Sequence, residues 1–121
     1  MALIAVVDDE FLLADLLASR LVGEGHEVMT AAHGRAALQM IRERKPALVI
    51  TDFMMPLMTG LELAQAMHAD AELEDIPIIL VSGAQGSAAR DSHPDLFAAI
   101  FDKPYDRKAM LKAVSSLLDV P

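Results

Sequence analysis

Short apolar runs alternate with longer amphipathic stretches along this chain. The run Leu3–Val7 lacks polar alternation, as is typical of a strand buried on both faces, and it ends at the acidic triplet Asp8-Asp9-Glu10. From Phe11, apolar positions recur at helical spacing until Gly23 or Gly25, where a helix would end. The predicted buried stripe of this first helix consists of Leu13, Ala14, Leu17 and Leu21.

The same alternation of strand and helix continues to the end of the chain. Further strands are predicted over residues 27–31, 47–52, 76–82 and 98–101, and further helices over 35–44, 61–69 and 106–118. Residues 84–94 contain Gly86 and Pro94, so any helix there is expected to be weak. Five strand-helix units without hairpin signals predict an α/β fold: a doubly wound, mainly parallel sheet with helices on both faces.

Composition and charge narrow the class of protein. The 121 residues are 54% hydrophobic and 23% charged, which suits one globular domain spanning residues 1–121. The formal net charge of −8 argues against direct binding to nucleic acid, whose phosphates attract basic surfaces. No cysteine is present, and no signal peptide or membrane segment is recognisable, so we expect a soluble cytoplasmic protein.

Polar residues follow the strands at their carboxyl ends, where open parallel sheets place their ligand sites. Asp8 and Asp9 follow the first strand, and Asp52 ends the third. Carboxylates about 5 Å apart on neighbouring strands would repel by roughly 3 kcal/mol per pair at an effective dielectric of 20. A hard divalent cation such as Mg²⁺ would offset this repulsion. With the hydroxyl of Ser82 and the amine of Lys103, it would form a cradle for a phosphoryl group.

These motifs, taken jointly and in this order, resemble the receiver domain of bacterial response regulators, of the chemotaxis-protein type. The resemblance rests on Asp8-Asp9, the segment 52–60 with its Met55-Pro56 and Gly60, the strand-end Ser82, and Lys103-Pro104. It covers essentially the entire chain. It implies a flavodoxin-like sheet with strand order 2-1-3-4-5.

The resemblance also implies a role for each site residue. Asp52 would be the phospho-acceptor, and Asp8, Asp9, Asp52 and the backbone carbonyl of Met54 would hold Mg²⁺. Ser82 would donate a hydrogen bond to the arriving phosphoryl group, and Lys103 would pair with it. The Lys103-Pro104 peptide bond is expected to be cis, which costs little before proline.

The implied function is a phosphorylation-activated switch rather than an enzyme acting on an external substrate. A histidine kinase or a histidine phosphotransfer protein would donate the phosphoryl group. Ser82 would then move and change the surface offered to a downstream protein or fused output domain. The protein is expected to be a monomer or weak dimer.

Some positions depart from the family pattern. The aromatic switch residue usual three positions before the lysine is replaced by Ile100, so a ring rotation cannot carry the signal there. Met54 and Ala84 stand where the family tunes access of water to the acyl-phosphate, and neither side chain can hydrogen-bond a water, which predicts a long phosphoryl lifetime.

Several residues have plainer alternative uses. Asp9 or Ser82 could cap a helix, and Met54, Met55 and Met58 are expected to fill gaps in the packing. The four histidines, His26, His33, His68 and His93, show no metal-ligand spacing and are interpreted as inert surface residues.

On the first helix, Leu12 and Leu16 lie off the predicted buried stripe. They form either a docking patch for a helical phosphodonor or a contact with a neighbouring loop.

The sequence is compatible with two competing functions. One is a magnesium-dependent phosphohydrolase on a similar sheet, although the Asp that haloacid-dehalogenase-like enzymes need two residues after the nucleophile is absent after Asp8-Asp9. The other is a degenerate receiver that binds partners without phosphorylation. Whether the chain acts alone or is part of a longer regulator is left open.

Overall fold

The computed structural model describes residues 2–83 and 95–118. Its strands are β1 (Leu3–Val7), β2 (Glu27–Ala31), β3 (Leu48–Asp52), β4 (Ile78–Ser82) and β5 (Ala99–Asp102). Its helices are α1 (Phe11–Gly23), α2 (Gly34–Arg44), α3 (Gly60–His68) and α4 (Arg107–Leu118). The weak helix predicted over 84–94, together with Ala84 and His93, lies outside the described residues.

All five strands pair in parallel in the order β2-β1-β3-β4-β5, which confirms the predicted doubly wound sheet. The chain therefore leaves β1 for one edge, returns to β3, and continues outward on the other side. The reversal between β1 and β3 is the switch point at which such sheets carry their sites.

Each face of the sheet has its own hydrophobic core, because successive side chains of a strand point to opposite faces. Ala5 and Val7 of β1 face α2 and α3, where the core includes Ile41 and Leu63. The alternate residues of β1 belong to the second core, with α1 and α4. The buried helix residues of this second core are Ala14, Leu17, Leu21, Met110 and Val114.

The first helix buries a narrower stripe than predicted. Ala14, Leu17 and Leu21 are buried, but Leu13 is 44% exposed. Leu13 precedes Ala14 by one position, which turns it about 100° around the helix and brings it to the rim of the contact. The inclusion of Leu13 in the core was therefore wrong.

Element boundaries differ from the prediction by one or two residues. α2 begins at Gly34 because the imidazole of His33 accepts a hydrogen bond from the Ala36 N–H at 3.2 Å, so this histidine has a structural use. α3 begins at Gly60 because Thr59 and Glu62 form a reciprocal capping box. β4 begins at Ile78, after Pro77, whose carbonyl accepts from the Val49 N–H at 3.0 Å.

No helix in the described part of the chain combines the length and the apolar character needed to cross a membrane.

Gly60 marks the point where α3 approaches the sheet most closely. A β-carbon at this position would collide with the backbone carbonyl oxygen of Asp52. The Gly60 N–H also donates to the Phe53 carbonyl at 2.8 Å, so the helix is tied to the end of β3. The backbone next to the acidic strand end can adopt this geometry only because residue 60 has no side chain.

We predict that Gly60→Ala lowers the free energy of unfolding by about 1–3 kcal/mol, because the methyl group would push α3 away from β3. Gly23→Ala is the matched control, since a β-carbon there meets nothing within 4 Å. It should leave stability unchanged or raise it by up to about 1 kcal/mol. Urea unfolding of the two variants measures the difference, and equal effects would contradict the steric account.

Candidate functional site

Three carboxylates meet at the carboxyl edge of the sheet. The register pairs Val7 with Thr51, so the residues that follow, Asp8 and Asp52, come side by side. One carboxylate oxygen of each of Asp8, Asp9 and Asp52 lies within 4.8 Å of the others. Asp52 is only 6% exposed, whereas Asp9 is exposed. The expected convergence of these three side chains is thus present.

Lys103 supplies the positive charge of the site. Its Nζ lies 3.0 Å from Asp52 Oδ1 and 3.8 Å from Glu10 Oε1. The Lys103 N–H donates to the Ser82 carbonyl at 2.8 Å, which joins the end of β5 to the end of β4. The Lys103-Pro104 peptide bond is cis, as predicted.

The pKa values of Asp8, Asp52 and Lys103 are all raised by burial or by neighbouring charges. Burial, together with the charge of Asp52, raises the pKa of Asp8 from 3.8 to about 6, despite a hydrogen bond from the Glu10 N–H. Burial also raises the pKa of Asp52, against the opposing effect of Lys103. For Lys103, burial lowers the pKa, but the hydrogen bond and charge of Asp52 outweigh it and the net pKa is raised. The cluster therefore holds more negative charge than its surroundings stabilise.

This donor set fits a magnesium ion. Hard cations such as Mg²⁺ bind carboxylate oxygens and usually keep several waters. Three close carboxylates, two of them with raised pKa, provide such oxygens and an unbalanced charge. Of the histidines in the described ranges, His26, His33 and His68, none contributes a ligand to the cluster.

The other predicted site residues lie around this cluster with different exposure. Ser82 ends β4, is fully buried, and its hydroxyl makes only a long hydrogen bond of 3.4 Å, to the Gly83 carbonyl, among the described residues. Ile100 is half-buried on β5, paired with Leu80 of β4. The side chain of Met54 is 57% exposed, which corrects the expectation that it packs. Met55, in contrast, is buried as expected.

The alternative use of Asp9 as a helix cap is absent. The residue at the N-cap position of α1 is Glu10, and its side chain makes no capping bond. Instead, Asp8 Oδ1 accepts from the Glu10 N–H at 2.9 Å. Glu10 itself was missed as a site residue, although its place in the acidic triplet was a signal that it would face Lys103.

The first helix exposes apolar side chains beside the cluster. Leu12 is 67% exposed and Leu16 is 61% exposed, with Phe11 exposed next to them. The predicted outward-facing pair is therefore present. Its alternative use, packing against a neighbouring loop, is not seen among the described residues.

The fold is a flavodoxin-like, five-stranded parallel sheet with its polar cluster at the switch point. Residues 4–115 match the family described as "Response regulator receiver domain". The chain belongs to this family, whose members are signalling domains of two-component systems and generally use Mg²⁺.

Similar proteins support this membership. The "Probable transcriptional regulator ycf27" of Cyanophora paradoxa is 36% identical over 116 residues, which cover 95% of this chain and 47% of that protein. "Protein PilH" of Pseudomonas aeruginosa is 29% identical over 127 residues, covering 98% of each chain. The solved chemotaxis response regulator CheY4 of Vibrio cholerae has a TM-score of 0.88 at 27% identity, covering 98% of this chain and 99% of that one. The chain spans about half the length of the first curated relatives it matches.

We predict that Asp8→Asn stabilises the metal-free protein. A carboxyl pKa that is raised by folding costs stability as the pH rises from about 4 through about 6. In EDTA at pH 7.5 the variant should gain about 1–2 kcal/mol in unfolding free energy, allowing for solvent screening, and the gain should vanish near pH 4.

Asp15→Asn, at an exposed position of α1, is the control and should show no comparable gain. Urea unfolding across this pH range measures both variants. A gain for Asp8→Asn that is independent of pH would contradict the assignment of the repulsion to this carboxylate.

Proposed function

We propose that this chain is a phosphorylation-activated switch in which Asp52 accepts a phosphoryl group. The observation that carries the proposal is the contact of 3.0 Å between Lys103 Nζ and Asp52 Oδ1 inside the three-carboxylate cluster. A buried carboxylate next to a fixed cation can act as a nucleophile. Its product, an acyl-phosphate, carries more negative charge and keeps the same lysine as its partner.

The transfer itself needs few groups. An oxygen of the Asp52 carboxylate attacks the phosphorus, and the bond from phosphorus to the donor, an imidazole nitrogen of phosphohistidine or the carboxyl oxygen of acetyl phosphate, breaks in line. Lys103 then pairs with a phosphoryl oxygen, and the Ser82 hydroxyl donates to another. A water attacking the phosphorus later restores Asp52 and releases phosphate.

Asp8, Asp9, Asp52 and the backbone carbonyl of Met54 would hold Mg²⁺, which when bound neutralises charge on the phosphoryl oxygens. Asp8 and Asp9 would thereby orient the strand end that carries Asp52. Glu10 places a second carboxylate 3.8 Å from Lys103 Nζ. The side chain of Met54 carries no group that orients water, so hydrolysis is expected to be slow.

The signal is read through Ser82 and Ile100. The long hydrogen bond of Ser82 to Gly83 is weak by geometry, so the hydroxyl is free to turn toward an added phosphate. Movement of Ser82 would change the packing at the β4–β5 edge, where Ile100 replaces the usual aromatic residue. This shifts an existing equilibrium between two surfaces rather than creating a new one.

We propose the following wider role for the chain. Residues 1–121 form one receiver domain that works in the cytoplasm, receives its phosphoryl group from a histidine kinase or histidine phosphotransfer protein, and passes the signal to a downstream protein or fused output domain. It is a monomer or weak dimer and modifies only itself. Family membership favours this function over a phosphohydrolase.

We predict that acetyl phosphate adds one phosphoryl group to the protein only when Mg²⁺ is present. Asp52→Asn should abolish the adduct because the nucleophile is lost. Asp102→Asn, which removes an exposed carboxylate one residue before Lys103, should leave it intact. Intact-protein mass spectrometry detects the adduct, and labelling of the Asp52→Asn protein at the wild-type level would refute the assignment of the acceptor.

We also predict that Leu12 and Leu16 form the patch on which the phosphodonor protein docks. Leu12→Arg should slow phosphotransfer from the cognate kinase about tenfold, because it places a charge in an apolar contact. Labelling by acetyl phosphate needs no docking and should be unchanged. Val22→Arg, exposed on the same helix, is the control. Equal loss with both donors would contradict a docking role.

A further inference from the structure

A cavity of about 410 Å³ lies between α1 and α4. Its floor is the sheet, formed by Val6, Ile50 and Val81. The small side chain of Ala14 on α1 faces this floor and leaves room above it. The volume falls in the range of about 300–1,000 Å³ that is usual for small-molecule sites.

The walls of the cavity are apolar, with a few polar groups at its rim. Leu16 and Leu17 line it from α1, and Tyr105 lines it from the segment before α4. The Tyr105 ring is half-buried and packs edge-to-face on Phe101, with centroids 6.2 Å apart, so the wall is ordered by an aromatic contact. This is the composition expected of a site for an apolar ligand body.

The charged residues of the cavity fall into two groups. Asp8, Asp52 and Lys103 belong to the acidic cluster, in which Lys103 is already ion-paired with Asp52. The other two, Arg20 and Arg107, form no ion pair with any residue in the ranges 2–83 and 95–118.

Among the described residues, Arg42, Arg44 and Lys45 have acidic partners, whereas Arg20 and Arg107 belong, with Arg35, Lys108 and Lys112, to the cations that form no ion pair; of these five, only Arg20 and Arg107 line the cavity. Arg107 is also the first residue of α4, where the helix dipole disfavours a positive charge. Helix stability therefore does not explain its position.

Arg20 lines the same cavity as Tyr105 and affects the pKa of that residue. Burial raises the pKa of Tyr105, and the charge of Arg20 opposes that rise. Arg20 and Tyr105 both line the cavity, so the guanidinium and the tyrosine hydroxyl border the same space. Guanidinium groups bind carboxylate, sulfonate and phosphate through paired donors.

We propose that the cavity between α1 and α4 binds a small organic anion. Its ring or short hydrocarbon body lies against Leu16, Leu17 and Tyr105, and its anionic group lies at Arg20 and Arg107. Asp8 and Asp52 also line the cavity, and their carboxylates favour this orientation because they repel a ligand anion.

A bound ligand would lie next to the phosphoryl-accepting site, since Asp8, Asp52 and Lys103 form part of the same wall. Occupancy is therefore expected to change the rate at which Asp52 is labelled by acetyl phosphate. This coupling rests on the proposed function, whereas ligand binding itself does not.

The test compares two dyes on the unphosphorylated protein in EDTA. The anionic probe is 8-anilinonaphthalene-1-sulfonate, and the uncharged probe is N-phenyl-1-naphthylamine, which has the same rings without the sulfonate. The chain contains no tryptophan, so the dye fluorescence is free of that background. We expect saturable binding of the anionic dye at one site per chain.

Arg20→Gln and Arg107→Gln should each weaken the anionic dye about three- to fivefold and leave the uncharged dye unchanged. Arg35→Gln, an exposed arginine of α2, is the charge control and should change neither dye. Leu16→Gln should weaken both dyes, whereas Leu12→Gln should weaken neither, because Leu12 is equally exposed but does not line the cavity. Urea midpoints confirm that each variant folds.

Three results would overturn the proposal. One is the absence of saturable binding, and another is an arginine effect that is equal for both dyes. The third is an equal loss for Leu12→Gln and Leu16→Gln, which would mean that the dye coats an exposed helix face suited to a protein partner. None of these results depends on whether Asp52 is phosphorylated, so they are distinguishable from failure of the proposed function.

Discussion

The close approach of three carboxylates to one lysine is the constraint on which the site depends. Asp8, Asp9 and Asp52 each have an oxygen within 4.8 Å of the others, and among the described residues Lys103, at 3.0 Å from Asp52, is the one cation that pairs with them. At such distances each like-charge pair costs a few kcal/mol even at a protein-like dielectric of about 20. The raised pKa of Asp8 reflects that cost together with burial. The fold therefore holds an energetically unfavourable charge arrangement that an added cation would relieve.

The parallel sheet makes this arrangement possible. Strand ends that are distant in sequence share one edge, and two apolar cores on opposite faces hold the strands in register. Gly60 lets α3 approach the Asp52 backbone, and the Lys103 N–H is bonded to the Ser82 carbonyl. The contacts of Gly60 and of the Lys103 N–H are made by backbone groups. The side chains of Asp52, Ser82 and Lys103 therefore need not hold the strand ends together.

The face covered by α1 and α4 differs from the opposite face. Helices α2 and α3 pack over one core, while α1 buries Ala14, Leu17 and Leu21 against the sheet and leaves Leu12, Leu13 and Leu16 exposed. One helix thus borders both the acidic cluster and the neighbouring cavity. Changes at the cluster and binding in the cavity act on shared wall residues, which gives the two sites a direct physical connection.

The residue pattern by itself determined the class of fold, the strand order through family resemblance, and the residues that converge at the sheet edge. Strand burial and strand-end polarity are local properties, so Leu3–Val7 and Asp52 could be assigned without coordinates. The exposure of Leu13 and Met54, the capping by His33, and the contact of Glu10 with Lys103 depended on helix rotation and loop geometry. The cavity beside Tyr105 likewise arises from how two helices sit on one sheet. Only the tertiary structure decided these features, because they depend on contacts between residues far apart in the chain.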